Sequence, residues 1–265
     1  MTKNRLSVVV PAFNEEKTIS TVVEKLLSVP YLFEIIIVND CSTDRTAEVA
    51  ESLGENCDLI RVIHHDRNKG KTAALKSGFE VSRGDIVIVQ DADLEYDPAE
   101  IVNVIQPIVD GIADVVYGSR FLVRRATRVL YYYHYLGNKL LTALSNLFTN
   151  VNLTDVETGY KAFRGEIIRN MIISSKGFGF EIEVTAKVAK LHCVLYEVPI
   201  SYYGRTYGEG KKIGFKDAIA AFWYILRYNV LCSLKNSYRN IPSASLVANR
   251  RELESMAAYP ESAKL

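Results

Sequence analysis

The sequence predicts an α/β protein with a mainly parallel central sheet flanked by helices. Short apolar runs rich in β-branched residues recur along the first half of the chain, and helical patterns separate them. Continuous apolar runs are typical of strands covered on both faces, and their alternation with helices is typical of right-handed βαβ units. Polar residues follow most of these runs directly. Because parallel strands end at one edge, we expect these polar residues to share that edge.

Each element is predicted from its hydrophobic period. The first strand ends at Pro11, and Asn14 opens a helical pattern that continues to Leu27. Asp97 and Pro98 form a good cap and first-turn pair for a later helix. Strands are expected at 6–10, 33–38, 59–63, 86–89, 114–117, 160–163 and 194–198. Helices are expected at 14–27, 44–53, 69–82, 98–109, 140–148 and 181–190.

Composition excludes several classes of protein. The chain has 265 residues, 48% of them apolar, and 32 basic against 31 acidic residues, so net charge gives no case for nucleic-acid binding. Its four cysteines form no close pair, which argues against a disulfide framework or a zinc ribbon. We expect a catalytic domain over residues 1–232 and a polar tail over 233–265 that is loosely attached or disordered.

Neither end of the chain carries a membrane signal of sufficient length. The first apolar run is too short for a signal peptide, and the apolar run 218–226 stops at Arg227, short of the roughly 20 residues that span a bilayer. We therefore expect a cytoplasmic protein without a transmembrane helix. Peripheral contact with the cytoplasmic membrane face stays open.

Three carboxylates follow the strand at 86–89 at alternate positions. Asp91, Asp93 and Glu95 form what we call the acid set. Mg²⁺ is usually held by one or two carboxylates together with substrate phosphates, so a metal and a diphosphate fit this position. The alternative is an acidic loop that only caps the following helix.

Two further segments carry polar groups suited to a nucleotide. Asp40 follows the second strand and could accept hydrogen bonds from a base or ribose, or could cap the next helix. Residues 68–71 (Asn-Lys-Gly-Lys) precede a helix N-terminus, where amides and cations favour phosphate. Their spacing matches neither a Walker A loop nor a dinucleotide-binding glycine motif.

Residues 115–154 form a segment without any acid, here named the acid-free segment. It contains five basic residues, a cluster of tyrosines from Tyr131 to Tyr135, and an apolar helical pattern after them. Arginines beside tyrosines and an amphipathic helix suit an anionic membrane surface. A solvated basic face with an ordinary core helix is the alternative.

Five segments together carry a family resemblance. They are Val-Val-Val-Pro-Ala-Phe-Asn-Glu-Glu at 8–16, Asn-Asp-Cys-Ser-Thr-Asp at 39–44, Asn-Lys-Gly-Lys at 68–71, Asp-Ala-Asp-Leu-Glu at 91–95 and Gly-Ser-Arg at 118–120. The combination resembles family 2 glycosyltransferases of GT-A fold, and within that family the dolichyl- and polyprenyl-phosphate hexose synthases. The resemblance extends over residues 5 to 230.

The resemblance implies a metal-dependent, inverting transferase that moves glucose or mannose from a UDP- or GDP-sugar to a polyprenyl phosphate. Mg²⁺ or Mn²⁺ would be the cofactor. Glu95 stands where many relatives carry Gln. By position, the resemblance assigns Pro11, Ala12, Glu15, Asp40 and Asp91 to the donor, Asp93 and Glu95 to the metal, Arg120 to the acceptor, and Asp93 and Arg205 to catalysis. Lys71 joins the donor residues because it lies at a helix N-terminus, and Arg128 joins Arg120 as a further cation for the acceptor phosphate.

The identity of the acceptor decides whether a base is needed. A polyprenyl phosphate is already an anionic nucleophile, so orientation by cations could replace base catalysis. A hydroxyl acceptor would need a carboxylate base, for which Asp155 is the candidate. A soluble transferase acting on a saccharide or other hydroxyl, and a non-catalytic nucleotide-sugar-binding partner, are the two alternatives. The sequence does not decide the nucleobase, the hexose or the oligomeric state.

Overall fold

The computed structural model describes residues 4–122, 131–177, 179–204 and 215–242, without the side chains of residues 215–219. Seven strands lie in these ranges. They are β1 (Leu6–Ala12), β2 (Leu32–Asn39), β3 (Ile60–His64), β4 (Ile86–Val89), β5 (Val115–Ser119), β6 (Lys161–Arg164) and β7 (Leu195–Pro199).

The helices of the described ranges alternate with these strands. They are α1 (Ile19–Leu26), α2 (Thr46–Glu55), α3 (Lys71–Val81), α4 (Ile101–Val109), α5 (Tyr132–Thr149), α6 (Gly165–Asn170), α7 (Phe180–Lys190) and α8 (Phe215–Leu226). A 3₁₀ turn at Pro98–Glu100 precedes α4, and a π-helical turn at Arg227–Leu231 follows α8. The short helix α6 is absent from the sequence-based expectations.

The strands form one sheet in the order β3-β2-β1-β4-β6-β5-β7. Neighbours are parallel except at β6, which is antiparallel to both β4 and β5. This arrangement confirms the predicted α/β fold with a mainly parallel central sheet.

Apolar side chains on both faces of the sheet are buried, as the continuous apolar strands predict. Within β1, Val8 and Val10 pack into one core with α1, whereas Val9 packs into the other with α3 and α7. All three valines are fully buried, so removing apolar surface from water stabilises both layers of helices on the sheet.

Helix α1 begins at Ile19, five residues after the helical pattern opens. Asn14 adopts a left-handed backbone (φ 57°), and its Oδ1 accepts a 2.8 Å hydrogen bond from the amide of Thr43. The amide of Glu16 donates to Asp44. These contacts attach the segment after β1 to the loop after β2, so a turn replaces the first helical turn.

Residues 233–242 differ from the loosely attached tail that we expected. Tyr238 is 2% exposed, pairs with Met171 in a β-bridge, and donates its hydroxyl to the carbonyl of Lys187 at 3.0 Å. The amide of Arg239 donates to the carbonyl of Asn170. The hydrophobic period is too weak here to reveal a segment held by one buried tyrosine. Residues 243–265 lie outside the described ranges.

None of the helices in the described part of the chain has both the length and the apolar character needed to cross a membrane.

Candidate active site

Strand direction brings the polar segments to one edge of the sheet. The parallel strands β1, β2 and β4 end there, and so does β5, because β6 is antiparallel to both β4 and β5. For the same reason the residues that precede β6, and those that follow β7, reach this edge. We call it the site edge. It gathers groups that are far apart in sequence, including residues 155–160 and 200–204.

Lys71 and Asp91 form an ion pair at the site edge. Lys71 lies in the first turn of α3, and its Nζ is 2.7 Å from Asp91 Oδ1 and 3.0 Å from Oδ2. Burial alone would lower the pKa of Lys71, but the charges of Asp91 and Glu181 outweigh it and raise that pKa above its usual value. Lys71 is therefore a permanent cation beside the acid set.

Gly159 lets the chain approach Asp91 closely. A Cβ at this position would lie 2.7 Å from Asp91 Oδ2, so a side chain would displace the carboxylate. The amide of Gly159 donates to the hydroxyl of Tyr96 at 3.0 Å, and the rings of Tyr96 and Tyr160 stack at 4.8 Å. This packing holds the residues before β6 against the acid set.

The other two members of the acid set lie in the turn after β4. Leu94 has a left-handed backbone (φ 59°), and Asp93 Oδ1 accepts the amide of Glu95 at 3.1 Å. The Glu95 carboxylate accepts the hydroxyl of Tyr202 at 2.9 Å, and its carbonyl accepts the amide of Tyr203. The turn therefore presents two carboxylates and is joined to the segment after β7.

Arg120 and Asp155, predicted separately for the acceptor and for base catalysis, form one buried pair. Arg120 Nε and Nη2 each lie 2.7 Å from a different oxygen of Asp155, whose side chain is fully buried. Burial alone would raise the pKa of Asp155, but the charge and hydrogen bonds of Arg120 hold that pKa below its usual value. Both assigned roles stay predictions, and this pairing makes Asp155 a weak base.

The residues predicted for the nucleoside surround the ends of β1 and β2. Ala12 pairs in register with Asn39, and Pro11 precedes it. The amide of Glu15 donates to Thr46 Oγ1 at 2.8 Å. Their roles toward a donor stay predictions.

Asp40 is 3% exposed and organises the loop before α3. Its Oδ1 accepts from the amide of Lys69 and lies 2.6 Å from His65 Nδ1, and its Oδ2 accepts from the amide of Gly70 at 2.7 Å. The carboxylate therefore positions the turn that carries Lys71 into the site. Its role as a direct nucleoside ligand stays a prediction.

Three charged residues at the site edge are missing from the sequence-based expectations. Glu181 Oε1 lies 3.9 Å from Lys71 Nζ, and Glu181 Oε2 and Glu157 Oε1 are buried without a hydrogen-bond partner among the described residues. Lys161 donates to two main-chain carbonyls, and burial lowers its pKa to about 8. The sequence signal was weak: Glu181 opens a helix, Glu157 precedes the expected strand at 160–163, and Lys161 lies within that strand.

The free energy of unfolding should depend on pH through Glu157. Burial, and then the charge of Glu181, raise the pKa of Glu157 to about 7 from a usual 4.5. The folded protein then binds more protons than the unfolded chain between these values, so stability falls as pH rises from about 4.5 to about 7. We expect Glu157→Gln to remove this part of the decline. Urea unfolding of both proteins at several pH values would measure it, and parallel pH profiles would contradict it.

Two predicted site residues, Arg128 and Arg205, lie outside the described residues, as do Arg124 and Arg125 of the acid-free segment. Their assignments stay predictions.

Helix α5 packs Leu141 and Leu144 against the core, buries three polar residues and exposes other apolar side chains. The buried residues are Asn138, Thr142 and Ser145. The exposed ones include Leu140 at 60% and Leu147 at 75%. The helix therefore packs on the core through Leu141 and Leu144, as the alternative for the acid-free segment expects, and also exposes leucines to solvent. It leaves a broad apolar surface, continued by exposed Tyr132, Tyr133, Leu136 and Phe148.

The sheet is mainly parallel, and the carboxylate turn after β4 lies at the same edge as two cations, Lys71 and Arg120. This fold and site are those of an α/β transferase of the GT-A class. The chain belongs to glycosyl transferase family 2, whose model matches residues 7–172. This match confirms the family and the enzyme class that the sequence motifs predicted.

Two relatives and one solved structure describe the likeness further. The chain is 27% identical to an undecaprenyl-phosphate mannosyltransferase of Micrococcus luteus, covering 79% of this chain and 88% of the relative. It is 29% identical to a polyprenol monophosphomannose synthase of Mycolicibacterium smegmatis, covering 82% and 84%. It shares the fold of a glucosyl-3-phosphoglycerate synthase from Mycobacterium tuberculosis, which was solved with Mn²⁺, UDP and phosphoglyceric acid. The TM-score is 0.64 and the sequence identity is 20%, and the match covers 86% of this chain and 79% of that one.

Proposed function

We propose that this protein transfers a hexose, glucose or mannose, from a UDP- or GDP-sugar to a polyprenyl phosphate with inversion of configuration. The observation that carries the proposal is the meeting, at one sheet edge, of the acid set with two cations, the half-buried Lys71 and the buried Arg120. Carboxylates suit a metal-bound donor, and cations suit phosphates. The named activities of both relatives support the same lipid acceptor.

The residues present fit a divalent cation. Within the described ranges no three His, Cys, Asp or Glu side chains are grouped to hold a metal by themselves. A Mg²⁺ or Mn²⁺ ion that is also bound by a diphosphate needs only one or two carboxylates, and the turn after β4 presents Asp93 and Glu95. Such an ion, when bound, would neutralise charge on the departing nucleoside diphosphate.

Lys71 and Asp91 would act on the donor as a unit. Because Lys71 is held by both oxygens of Asp91, its ammonium group has a defined position near the N-terminus of α3. A cation and helix amides together favour a phosphate there. Arg205 is proposed for the same diphosphate on sequence grounds alone.

Arg120 would orient the acceptor phosphate and needs no base beside it. Asp155 uses Nε and Nη2 of Arg120, whereas Nη1 is not part of that pair. A carboxylate held by an arginine at low pKa is poorly suited to take a proton from a hydroxyl. The pair therefore favours an acceptor that is already ionised, as a polyprenyl phosphate is. Arg128 is proposed for the same phosphate from its sequence position.

The outward apolar surface of α5 would bring the protein to the membrane in which such an acceptor lies. Amphipathic helices bind the lipid interface through buried apolar area and attraction between basic residues and anionic lipids. The acid-free segment supplies both. We propose peripheral attachment to the cytoplasmic membrane face through this surface.

Two assays in sequence test the proposed function. Thermal-shift screening of UDP- and GDP-sugars with Mn²⁺ would identify the donor, because a ligand that binds only the folded state raises the melting temperature. That donor would then be offered polyprenyl phosphate and, as a matched control, the corresponding polyprenol. We expect glycosylated product from polyprenyl phosphate and none from polyprenol. Transfer only to alcohols or saccharides would support the soluble alternative, and donor binding without turnover would support the non-catalytic one.

Vesicle binding tests the membrane surface. We expect the double variant Leu140→Gln and Leu147→Gln to weaken binding to vesicles of phosphatidylcholine and phosphatidylglycerol by about tenfold or more, since each leucine contributes buried apolar area. The matched control is Leu27→Gln and Leu59→Gln, two leucines exposed by 42% and 40% outside the acid-free segment. Equal binding by both double variants in a flotation assay would contradict the proposal.

A further inference from the structure

We propose that Tyr202 is a positioning residue that fixes both the metal carboxylate Glu95 and the acceptor-side guanidinium of Arg120. This inference rests on the proposed function and assigns a role to a residue that the sequence motifs do not mark. Tyr202 lies three positions after β7, in the segment that reaches the site edge.

The hydroxyl of Tyr202 is directed at Glu95. It lies 2.9 Å from Glu95 Oε2, and the adjacent amide of Tyr203 donates to the carbonyl of Glu95. A phenol is protonated at neutral pH and can donate, so it holds one carboxylate oxygen. Such outer hydrogen bonds orient metal-binding carboxylates, and losing one typically weakens metal binding by 10- to 100-fold.

The ring of Tyr202 is directed at Arg120. The guanidinium carbon of Arg120 lies 5.2 Å from the centroid of the Tyr202 ring, within the range of a cation–π contact. The second constraint on Arg120 is the bidentate pair with Asp155. Tyr202 and Asp155 therefore both restrict the guanidinium, one through its ring and the other through its carboxylate.

The position of Tyr202 itself is set by packing. Its ring lies 5.4 Å from that of Tyr96, which stacks in turn on Tyr160. Apolar packing alone would accept a phenylalanine, so the hydroxyl has a separate purpose. One side chain thus connects the carboxylate turn after β4 to the cation after β5, and its hydroxyl and its ring can be removed separately.

Two substitutions separate these contributions. Tyr202→Phe keeps the ring and removes the donor, so we expect Mn²⁺ affinity in the presence of the nucleoside diphosphate to fall about tenfold, with the KM for polyprenyl phosphate unchanged. Tyr202→Leu also removes the ring, so we expect the same loss of Mn²⁺ affinity and, in addition, an acceptor KM raised about fivefold. Tyr196→Phe, in β7, is the matched control and should change neither quantity.

Calorimetry would measure Mn²⁺ binding without turnover. Steady-state kinetics would measure the KM for polyprenyl phosphate in each variant. Melting temperatures would identify a misfolded variant, and Tyr202→Phe keeps the inference testable if Tyr202→Leu fails to fold. Wild-type Mn²⁺ affinity in Tyr202→Phe would overturn the inference while leaving the proposed function intact. If the wild-type protein bound no Mn²⁺ with any nucleoside diphosphate, that result would contradict the proposed function itself and not only the role of Tyr202.

Discussion

Asp93→Asn should reduce hexose transfer by about 1000-fold. Three decades in rate correspond to about 4 kcal/mol of transition-state stabilisation, the order of the charge stabilisation that a metal ion supplies. Asp93 lies in the carboxylate turn after β4, where its Oδ1 accepts the amide of Glu95. An asparagine retains an oxygen for that hydrogen bond but loses the negative charge. We therefore expect a folded protein that binds Mn²⁺ poorly.

The measurement pairs initial rates with calorimetric titration of Mn²⁺ in the presence of the nucleoside diphosphate. Asp58→Asn is the matched control, because Asp58 is an exposed carboxylate that precedes β3 at the opposite edge of the sheet. It should leave both rate and affinity unchanged. Full metal-dependent turnover by Asp93→Asn would disprove the central assignment of the metal site.

Asp155→Ala should lower the free energy of unfolding by about 3–5 kcal/mol, because it leaves the buried charge of Arg120 without a partner. For a chain of this size the melting temperature should fall by about 10 °C. Glu48→Ala breaks the exposed pair of Arg45 and Glu48 and should leave the free energy of unfolding nearly unchanged. Urea unfolding of both variants measures the difference.

The sign of the pH dependence gives a second measurement on Asp155. Its pKa is lowered in the folded protein, so its contribution to stability is present above the unfolded value, near 3.8, and is lost as pH falls through the folded value. The difference in the free energy of unfolding between wild type and Asp155→Ala should therefore decrease only at acidic pH. An Asp155→Ala protein as stable as wild type would show that the pair does not hold the site together.

The local hydrophobic pattern of the sequence was sufficient to predict most of the fold. The run 86–89 is continuous in apolar residues, and the run 6–10 is interrupted only by Ser7, because both faces of the sheet are covered. That pattern is readable without a structure. Pattern was insufficient at Asn14, where side-chain contacts with the next loop replace a helical turn. It was also insufficient at Tyr238, whose buried ring and neighbouring main-chain hydrogen bonds hold a segment of weak hydrophobic period.

Some features of the candidate site were likewise predictable from the sequence, and others were not. The sequence located the acid set, Lys71 and Arg120, because each directly follows or precedes a recognisable element. It could not show that Arg120 and Asp155 are partners, since they are 35 residues apart and meet only because β6 runs antiparallel. The same reversal brings Glu157 to the site edge.

By itself, the sequence determined the α/β fold, the family and the edge at which the polar groups gather, because these depend on local period and on short motifs. Only the tertiary structure decided which of those groups touch. It joined Arg120 to Asp155, left leucines of α5 exposed, and placed Tyr202 between Glu95 and Arg120. The physical reason is that pairing, burial and pKa depend on distances across strands, which no spacing along the chain records.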